Sequence, residues 1–295
     1  AGVAAIYLSG YGYIFKALKI NLKKGALTPS TDDSRKFPYH SVATEKPETF
    51  GKDPQYNSLK FSGILYEELR KSRASSFLII KKGKLLHEQY WKNHDSQSLL
   101  NSFSMAKGFL SLLAGCAVDD GFFTSENQKI SDFFPHYKDQ KFGKHLTLKH
   151  LMTMQGGFDW TEEYRHPFAE NSKQYFVEDL AKQVFETKLV EMPGRRYEYQ
   201  SVSAQLLGLT IQKATGTSLA AYFSEKIWKP LQMEKEARWS IDEKGNEKAF
   251  CCMHASARDF AKIGQLILQK GKWKGKQIIS GDFLDKMMIP TKENA

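Results

Sequence analysis

A serine and a lysine three residues apart, Ser104 and Lys107, form the pattern with the clearest chemical use in this sequence. On a helix, side chains at this spacing lie on one face with Cβ atoms about 5–6 Å apart, so the lysine nitrogen can reach the serine oxygen. A serine hydroxyl is a weak nucleophile until a neighbouring group takes its proton. Burial and the positive end of the helix dipole both lower a lysine pKa. The pair therefore predicts nucleophilic catalysis in which Lys107 activates Ser104.

The surroundings of this short string give it weight, because Ser-x-x-Lys can arise by chance. It occurs once in the chain, at the start of a run over residues 103–118 that is apolar on nearly every side. Such a run predicts a helix buried in the middle of the protein. A lysine inside it is costly unless it has a partner and a use.

A second element, at residues 193–201, begins with Pro-Gly and leads into a predicted helix over 204–213. Tyr199 lies in this loop, where a phenol can exchange protons with a nearby hydroxyl and amine. A tyrosine before a helix is more often structural. Its combination with Ser104 and Lys107 makes a proton relay our hypothesis.

Composition and periodicity place the elements that must position these groups. Two apolar runs within 76–90, separated by Lys82 and Gly83, predict an antiparallel hairpin. Further helices are predicted over 146–154 and 256–270, with a last one ending near 288. We predict an α/β (α+β) fold in which an antiparallel sheet, begun by the hairpin, packs against a mainly helical region over about 100–245. The active site is expected in the cleft between them.

The chain divides into three parts by composition. Residues 1–24 open with fifteen uncharged positions, fewer than the roughly 20 that span a bilayer. They are either the remnant of a signal anchor or an apolar strand or helix packed on the domain, and the lysines that follow oppose the first interpretation. Residues 25–57, rich in proline, predict an extended tether. Residues 58–295 are assigned to the catalytic domain, which we expect to be incomplete at its C-terminus.

Composition also excludes several classes of protein. The 295 residues are 41% hydrophobic and 13% aromatic, which rules out disorder and predicts a sizeable core. Three cysteines and eight histidines without metal-ligand spacing predict neither a disulfide scaffold nor a metal site, and no cofactor is expected. The net charge of +10 suits an anionic neighbour, although a solvated lysine-rich surface is the simpler interpretation.

Taken together and in order, these motifs resemble the serine β-lactamase-related hydrolases, which include class C β-lactamases, D-alanyl-D-alanine carboxypeptidases, esterases and 6-aminohexanoate-dimer hydrolase. The resemblance covers about residues 77–288. It rests on Ser104 and Lys107 and on the segments 146–160, 193–208, 229–233 and 257–264. It implies a β-lactamase/transpeptidase-like fold and a bacterial envelope enzyme.

The resemblance also implies roles for individual residues. Ser104 corresponds to the nucleophile, Lys107 to its activating partner and Tyr199 to the tyrosine that shares protons with both. The backbone amide of Ser104 would supply half of an oxyanion hole. The other half belongs on a strand carrying Lys-Thr-Gly, His-x-Gly or an equivalent, which we do not find in the sequence.

Three further residues, Ser201, Trp160 and Tyr164, are expected to bind substrate. Ser201 stands where the family's Tyr-x-Asn element has asparagine, which argues against efficient β-lactam hydrolysis. The stretch 159–167 leans toward the aminohexanoate-dimer hydrolase branch, in which a tyrosine on the equivalent loop closes over substrate. For Trp160 and Tyr164, packing in the core or within the loop is an equally open interpretation.

Other reactive side chains receive structural interpretations. Cys251 and Cys252 are interpreted as buried small residues that do not bridge with each other, with a reactive thiol as the alternative. His254 is interpreted as a structural histidine and not as a base. The Arg258-Asp259 pair predicts a helix-start ion pair that positions a loop. The lysine-rich run at 270–276 predicts a turn that faces solvent and not nucleic acid.

The expected reaction is acyl transfer to water through a covalent ester on Ser104. Its substrate is an amide or ester: a β-lactam, a D-amino-acid peptide, a short oligoamide or a simple ester. The alternative is a non-catalytic penicillin-recognising or sensor-type binding protein of the same fold. The expected partners are a small-molecule or peptide substrate and no nucleic acid. We expect export to the cell envelope or periplasm, with anchoring to the membrane through the N-terminus.

Overall fold

The computed structural model describes residues 11–24, 29–164 and 166–290. The α-helices, in chain order, are Tyr13–Lys24 (α1), Gly63–Lys71 (α2), Met105–Asp119 (α3), Leu148–Met152 (α4), Glu170–Phe176 (α5), Leu180–Glu186 (α6), Ser201–Thr215 (α7), Leu219–Phe223 (α8), Ala257–Leu268 (α9) and Gly281–Met287 (α10). Short 3₁₀ turns lie at Ile130–Asp132, Pro135–Lys138 and Gly143–His145, and a π-helical turn at Ser224–Trp228 follows α8.

The strands form one four-stranded sheet and two hairpins, and every strand pair within the described ranges is antiparallel. They are Tyr39–Val42 (β1), Ser76–Lys81 (β2), Lys84–Tyr90 (β3), Leu100–Asn101 (β4), Ala237–Ser240 (β5), Met253–Ala255 (β6), Lys272–Trp273 (β7) and Lys276–Gln277 (β8). The sheet has the order β1-β5-β6-β4, and the hairpins are β2-β3 and β7-β8. This mixture of helices and antiparallel sheet confirms the predicted fold class.

The β2-β3 hairpin confirms the turn predicted at Lys82 and Gly83. These two residues have φ values of 49° and 75°, the left-handed conformations that a tight type I′ hairpin turn requires. Beyond β2, the described residues give β3 a single bridge from Leu85 to Lys52. The hairpin is therefore separate from the four-stranded sheet, which is assembled from strands far apart in the chain.

The core surrounds α3, which is buried over most of its length as the sequence predicts. It contacts α7 and α10, and Gly115 allows the ring of Phe283 on α10 to approach closely. The predicted stop of α7 is also confirmed, because Gly216 caps it with a left-handed φ of 71°. Helix α7 begins at Ser201, three residues before the predicted start.

The N-terminal helix α1 packs on the segment that leads into α5. The Tyr13 hydroxyl donates to the carbonyl of Pro167 at 3.0 Å, and the Tyr11 ring meets the Phe168 ring edge-on at 5.5 Å. Within the described ranges, no helix is long and apolar enough to cross a membrane. Residues 1–10, on which the signal-anchor interpretation depends, lie outside the described residues.

The structure corrects the prediction that Cys251 and Cys252 do not bridge with each other, because it joins them in a disulfide. Their Cα atoms are 3.8 Å apart, closer than the about 4.4–6.8 Å usual for bridged cysteines. Cys252 has a φ of 67°, an uncommon backbone conformation for a residue other than glycine. Sequence reasoning assumed ordinary backbone geometry here. Both residues are buried, as predicted.

Candidate active site

Ser104 lies between β4 and α3, at the N-cap position of the helix, with an exposed side chain. Phe103 before it has a φ of 44°, a conformation that costs a residue with a Cβ about 1–3 kcal/mol. Two hydrogen bonds fix this turn: the Ser102 amide donates to Met253 of β6 at 2.7 Å, and the Phe103 amide donates to Asn101 Oδ1 at 2.9 Å. The turn after β4, held by β6, thus places Ser104 in an exposed position.

Lys107 lies in the first turn of α3 and is almost fully buried. Its Nζ is 3.2 Å from Ser104 Oγ, donates to the carbonyl of Phe250 at 2.9 Å and lies 4.9 Å from the centroid of the Tyr199 ring. Burial lowers the pKa of Lys107 to about 8, and the negative charge of Glu162 opposes this shift. The nitrogen is therefore close to the serine and can lose its proton near neutral pH.

Tyr199 is half-buried in the loop before α7. Burial raises the pKa of its phenol, and a hydrogen bond with the Ser104 hydroxyl opposes the rise. The loop is held to the chain after α4, because the Gly194 amide donates to Gln155 and the Glu198 amide to Met154, each at 2.9 Å. The structure thus brings Ser104, Lys107 and Tyr199 together, and their catalytic roles remain predictions.

Glu162 is a site residue that sequence reasoning missed. Its carboxylate accepts hydrogen bonds from Trp160 Nε1 at 2.7 Å, from the Tyr164 hydroxyl at 2.8 Å, and from Ser201 through both the amide at 3.0 Å and the hydroxyl at 2.6 Å. All three residues predicted to bind substrate therefore meet at one carboxylate. The two glutamates between Trp160 and Tyr164 were visible in the sequence, but nothing distinguished Glu162 from Glu163.

The three predicted substrate-binding residues differ in exposure. Trp160 and Ser201 are 4% and 2% exposed and belong to the interior, whereas Tyr164 is 71% exposed. Partial burial of the hydroxyl and its hydrogen bond to Glu162 raise the pKa of Tyr164. Tyr164 is thus the member of the group with surface to offer a ligand. Substrate contact by all three remains a prediction.

The carbonyl that receives Lys107 belongs to a segment, residues 247–250, which α7 holds in place. Gln205 of α7 forms two hydrogen bonds with this segment: its Oε1 accepts from the Ala249 amide and its Nε2 donates to the Glu247 carbonyl, each at 2.9 Å. A Cβ at Gly208, one turn further along α7, would lie 2.6 Å from the Cβ of Ala249. Glycine at this position therefore allows the close approach that brings the Phe250 carbonyl to Lys107.

His254 and the Arg258-Asp259 pair occupy structural positions. His254 is buried on β6 with Nε2 3.3 Å from Ser240 Oγ, and burial lowers its pKa to about 4, so it is neutral near pH 7. Asp259 accepts from the Glu234 amide at 2.6 Å, which fixes the chain before β5. Arg258 forms ion pairs with Glu88 of β3 and Glu234. His254 thus lies in a structural position, whereas the predicted ion pair between Arg258 and Asp259 is replaced by separate contacts of each residue with other segments.

The backbone amide of Ser104 donates no hydrogen bond to any of the described residues. It is free to face an oxyanion, as half of an oxyanion hole must. Across the described ranges, no cluster of three or more His, Cys, Asp or Glu side chains is arranged to hold a metal ion.

Comparison with known proteins assigns this chain to a family. The sequence model of the family described as Beta-lactamase matches residues 65–276. A 6-aminohexanoate-dimer hydrolase from Paenarthrobacter ureafaciens is 22% identical over 236 residues, which cover 76% of this chain and 59% of that protein. Protein flp from Staphylococcus aureus (strain MW2) is 27% identical over 185 residues, 58% of this chain and 36% of that protein. The chain thus spans less than two thirds of the length of these relatives.

Solved structures show the same fold. A putative 6-aminohexanoate-dimer hydrolase from Bacillus anthracis superposes with a TM-score of 0.75 at 24% identity, over 87% of this chain and 72% of that one. A class C beta-lactamase superposes with a TM-score of 0.53 at 16% identity, over 75% of this chain and 66% of that one. With most of the chain matched by the family model and its fold shared with these structures, the protein belongs to the beta-lactamase family.

Proposed function

We propose that this protein is a serine hydrolase that cleaves an amide or ester bond through an acyl-enzyme on Ser104. The observation that carries the proposal is the contact of Lys107 Nζ with the exposed Ser104 hydroxyl at 3.2 Å. Burial lowers the pKa of this lysine to about 8, so that a deprotonated fraction is present near neutral pH. The family and the names of its hydrolase members support hydrolysis as the type of reaction.

In the first half-reaction, neutral Lys107 takes the proton of Ser104 as the serine oxygen attacks the substrate carbonyl carbon. The resulting oxyanion faces the Ser104 amide. Tyr199 then gives its proton to the leaving nitrogen or oxygen as the bond breaks, and the proton on Lys107 restores the phenol. Water next attacks the ester, passing one proton to the Tyr199 and Lys107 pair, and the serine oxygen recovers a proton as the acid leaves. The proton of the serine thus leaves with the first product, and a proton from water restores the serine.

For the substrate class, we propose a linear amide or a simple ester ahead of a β-lactam. Ser201, which stands where the family has asparagine, has its hydroxyl bonded to Glu162 at 2.6 Å and is 2% exposed. It therefore offers no side-chain amide to grip a β-lactam side chain. A relative named 6-aminohexanoate-dimer hydrolase provides a precedent for linear amides.

Intact-mass spectrometry after treatment with a fluorophosphonate tests the nucleophile. We expect one adduct per chain in the wild-type protein, its loss in Ser104→Ala, and its retention in the control Ser72→Ala, which alters an exposed serine at the end of α2. Labelling that persists in Ser104→Ala contradicts the proposal.

Turnover is then measured with p-nitrophenyl acetate, a linear 6-aminohexanoate dimer and nitrocefin. Catalytic release of product from either of the first two supports a hydrolase. A stable Ser104 adduct with nitrocefin and no turnover of any of the three supports a penicillin-recognising binding protein instead.

A further inference from the structure

The Glu162 carboxylate joins three residues that differ in their exposure to solvent. Trp160 is buried in the core, Ser201 is the first residue of α7, and Tyr164 is exposed. All three donate to the same carboxylate, with donor–acceptor distances of 2.6–3.0 Å. Glu162 therefore holds the exposed tyrosine to two fixed points of the fold.

Glu163, the next residue, attaches this part of the chain to helix α5. The Glu163 amide donates to Asn171 Oδ1 of α5 at 3.1 Å, and Asn171 is buried. Hydrogen bonds to a charged acceptor are worth about 1.5–3 kcal/mol each, more than those between neutral groups. Three of the four donors, from Trp160 and Ser201, fix the Glu162 carboxylate, and the fourth attaches the exposed Tyr164 to it.

Glu162 also supplies a negative charge that acts on Lys107, the proposed base. The groups that face Lys107 are Ser104 on its own helix, Tyr199 on the loop before α7, the carbonyl of Phe250, and Glu162. Glu162 raises the pKa of both Lys107 and Tyr199, against the effect of burial on the lysine. When Lys107 takes the serine proton, a positive charge forms in a buried position, and a nearby anion lowers the cost of that charge.

We propose that Glu162 is a positioning residue for the hydrolase reaction, which holds the exposed Tyr164 against the buried Trp160 and Ser201 and offsets the positive charge that Lys107 acquires when Ser104 is acylated. The inference rests on the proposed function. It adds a group that does not touch the reacting atoms but links the exposed edge of the site to its proton-transfer centre.

The test compares Glu162→Gln with Glu163→Gln, which removes the same formal charge from the adjacent residue. The readouts are the pH profile of kcat/KM for p-nitrophenyl acetate and the melting temperature. In Glu162→Gln we expect the limb assigned to Lys107 to move to lower pH by about half a unit or more, since an opposing charge has gone. We also expect kcat/KM to fall between about tenfold and a hundredfold because the site is less well positioned. Glu163→Gln should match the wild-type protein in the pH limb and in kcat/KM.

Two further variants keep the inference testable if Glu162→Gln does not fold. Glu162→Asp retains the charge on a shorter arm, and we expect a lower rate with the wild-type pH limb. Tyr164→Phe removes one exposed hydroxyl, and we expect a raised KM with an unchanged pH limb. An unshifted limb in Glu162→Gln, even with a lower melting temperature, overturns the charge-balancing role, and wild-type KM in Tyr164→Phe overturns the positioning of Tyr164.

These outcomes are distinct from failure of the proposed function. If Ser104→Ala retains fluorophosphonate labelling, the hydrolase assignment is wrong, whatever Glu162 does. If labelling and turnover depend on Ser104 while Glu162→Gln behaves like Glu163→Gln, the hydrolase assignment stands and the inference about Glu162 is wrong.

Discussion

Two buried lysines, Lys107 and Lys248, show what separates a reactive amine from a structural one. Burial lowers the pKa of Lys107 to about 8 and that of Lys248 to about 7. Lys107 lies beside an exposed serine hydroxyl, whereas Lys248 is fully buried, donates to the Tyr175 carbonyl at 2.8 Å and lies 4.4 Å from the centroid of the Phe37 ring. Desolvation thus favours the neutral form of both amines, and of the two only Lys107 adjoins an exposed serine.

The segment 247–250 joins these two environments. It carries Lys248 itself and, two residues later, the carbonyl of Phe250 that receives Lys107. Because Gln205 and Gly208 of α7 fix the segment, they influence both lysines. The contrast between the two lysines can therefore be tested by changing each lysine and by changing α7, which packs on the segment 247–250.

The largest expected effect is on activity. Lys107→Met should lower kcat/KM for p-nitrophenyl acetate by about 10²–10⁴-fold, the contribution typical of a general base. Lys248→Met should leave it close to the wild-type value, because this amine adjoins no nucleophile. Steady-state hydrolysis at one pH measures both. Equal losses in the two variants would contradict the distinction.

The pH profile of the wild-type protein is the second test. The proposed mechanism uses the base form of Lys107, whose pKa is lowered to about 8, so kcat/KM should rise about tenfold per pH unit on the acid side and level off above that midpoint. Lys248→Met should keep the same midpoint. A flat profile across this range, or a midpoint that moves in Lys248→Met, would assign the titration to another group.

A smaller effect is expected from Gly208→Ala. The added Cβ would meet Ala249 at 2.6 Å, and overpacking of this kind costs about 1–3 kcal/mol of the free energy of unfolding. Gly264→Ala on α9 is the matched control, since its Cβ meets no atom within 4 Å and alanine favours a helix. Urea denaturation should show a loss only in Gly208→Ala. Equal stability of the two variants would show that α7 and the segment 247–250 are less closely packed.

A last prediction concerns how the free energy of unfolding depends on pH. The pKa of Lys248 is 10.5 when unfolded and about 7 when folded, so between these values the unfolded chain binds a proton that the native protein lacks. The free energy of unfolding should therefore rise with pH through this window, and Lys107 acts in the same direction from about 8. Lys248→Met should flatten the rise and increase the free energy of unfolding near pH 6, where the buried amine of the wild-type protein must carry its charge. Denaturation midpoints measured across the window would contradict this if both proteins gave equal slopes.

The sequence predicted those parts of the molecule that local spacing encodes. The Ser104 and Lys107 pair follows from helix geometry, the buried α3 from its apolar run, and the β2-β3 turn from Lys82 and Gly83. The Pro-Gly loop in front of α7 indicated Tyr199. In each case the decisive neighbours lie within a few residues of one another.

Contacts between distant segments were not predictable. Glu162 meets Ser201 across 39 residues, and Lys107 meets Phe250 across 143. The second partner is a backbone carbonyl, which every residue type carries and which leaves no signal in a sequence. Likewise, part of the segment interpreted as a tether forms β1, which pairs with β5 at the edge of the four-stranded sheet.

The segment that contains α1 contacts the chain shortly after Tyr164. Tyr13 binds the carbonyl of Pro167, three residues after Tyr164, and Tyr11 contacts the adjacent ring of Phe168. Tyr164 therefore lies between two attachments in the chain, Glu162 before it and the residues that contact α1 after it. The position of this exposed tyrosine is thus expected to depend on α1, even though the helix lies far from it in sequence.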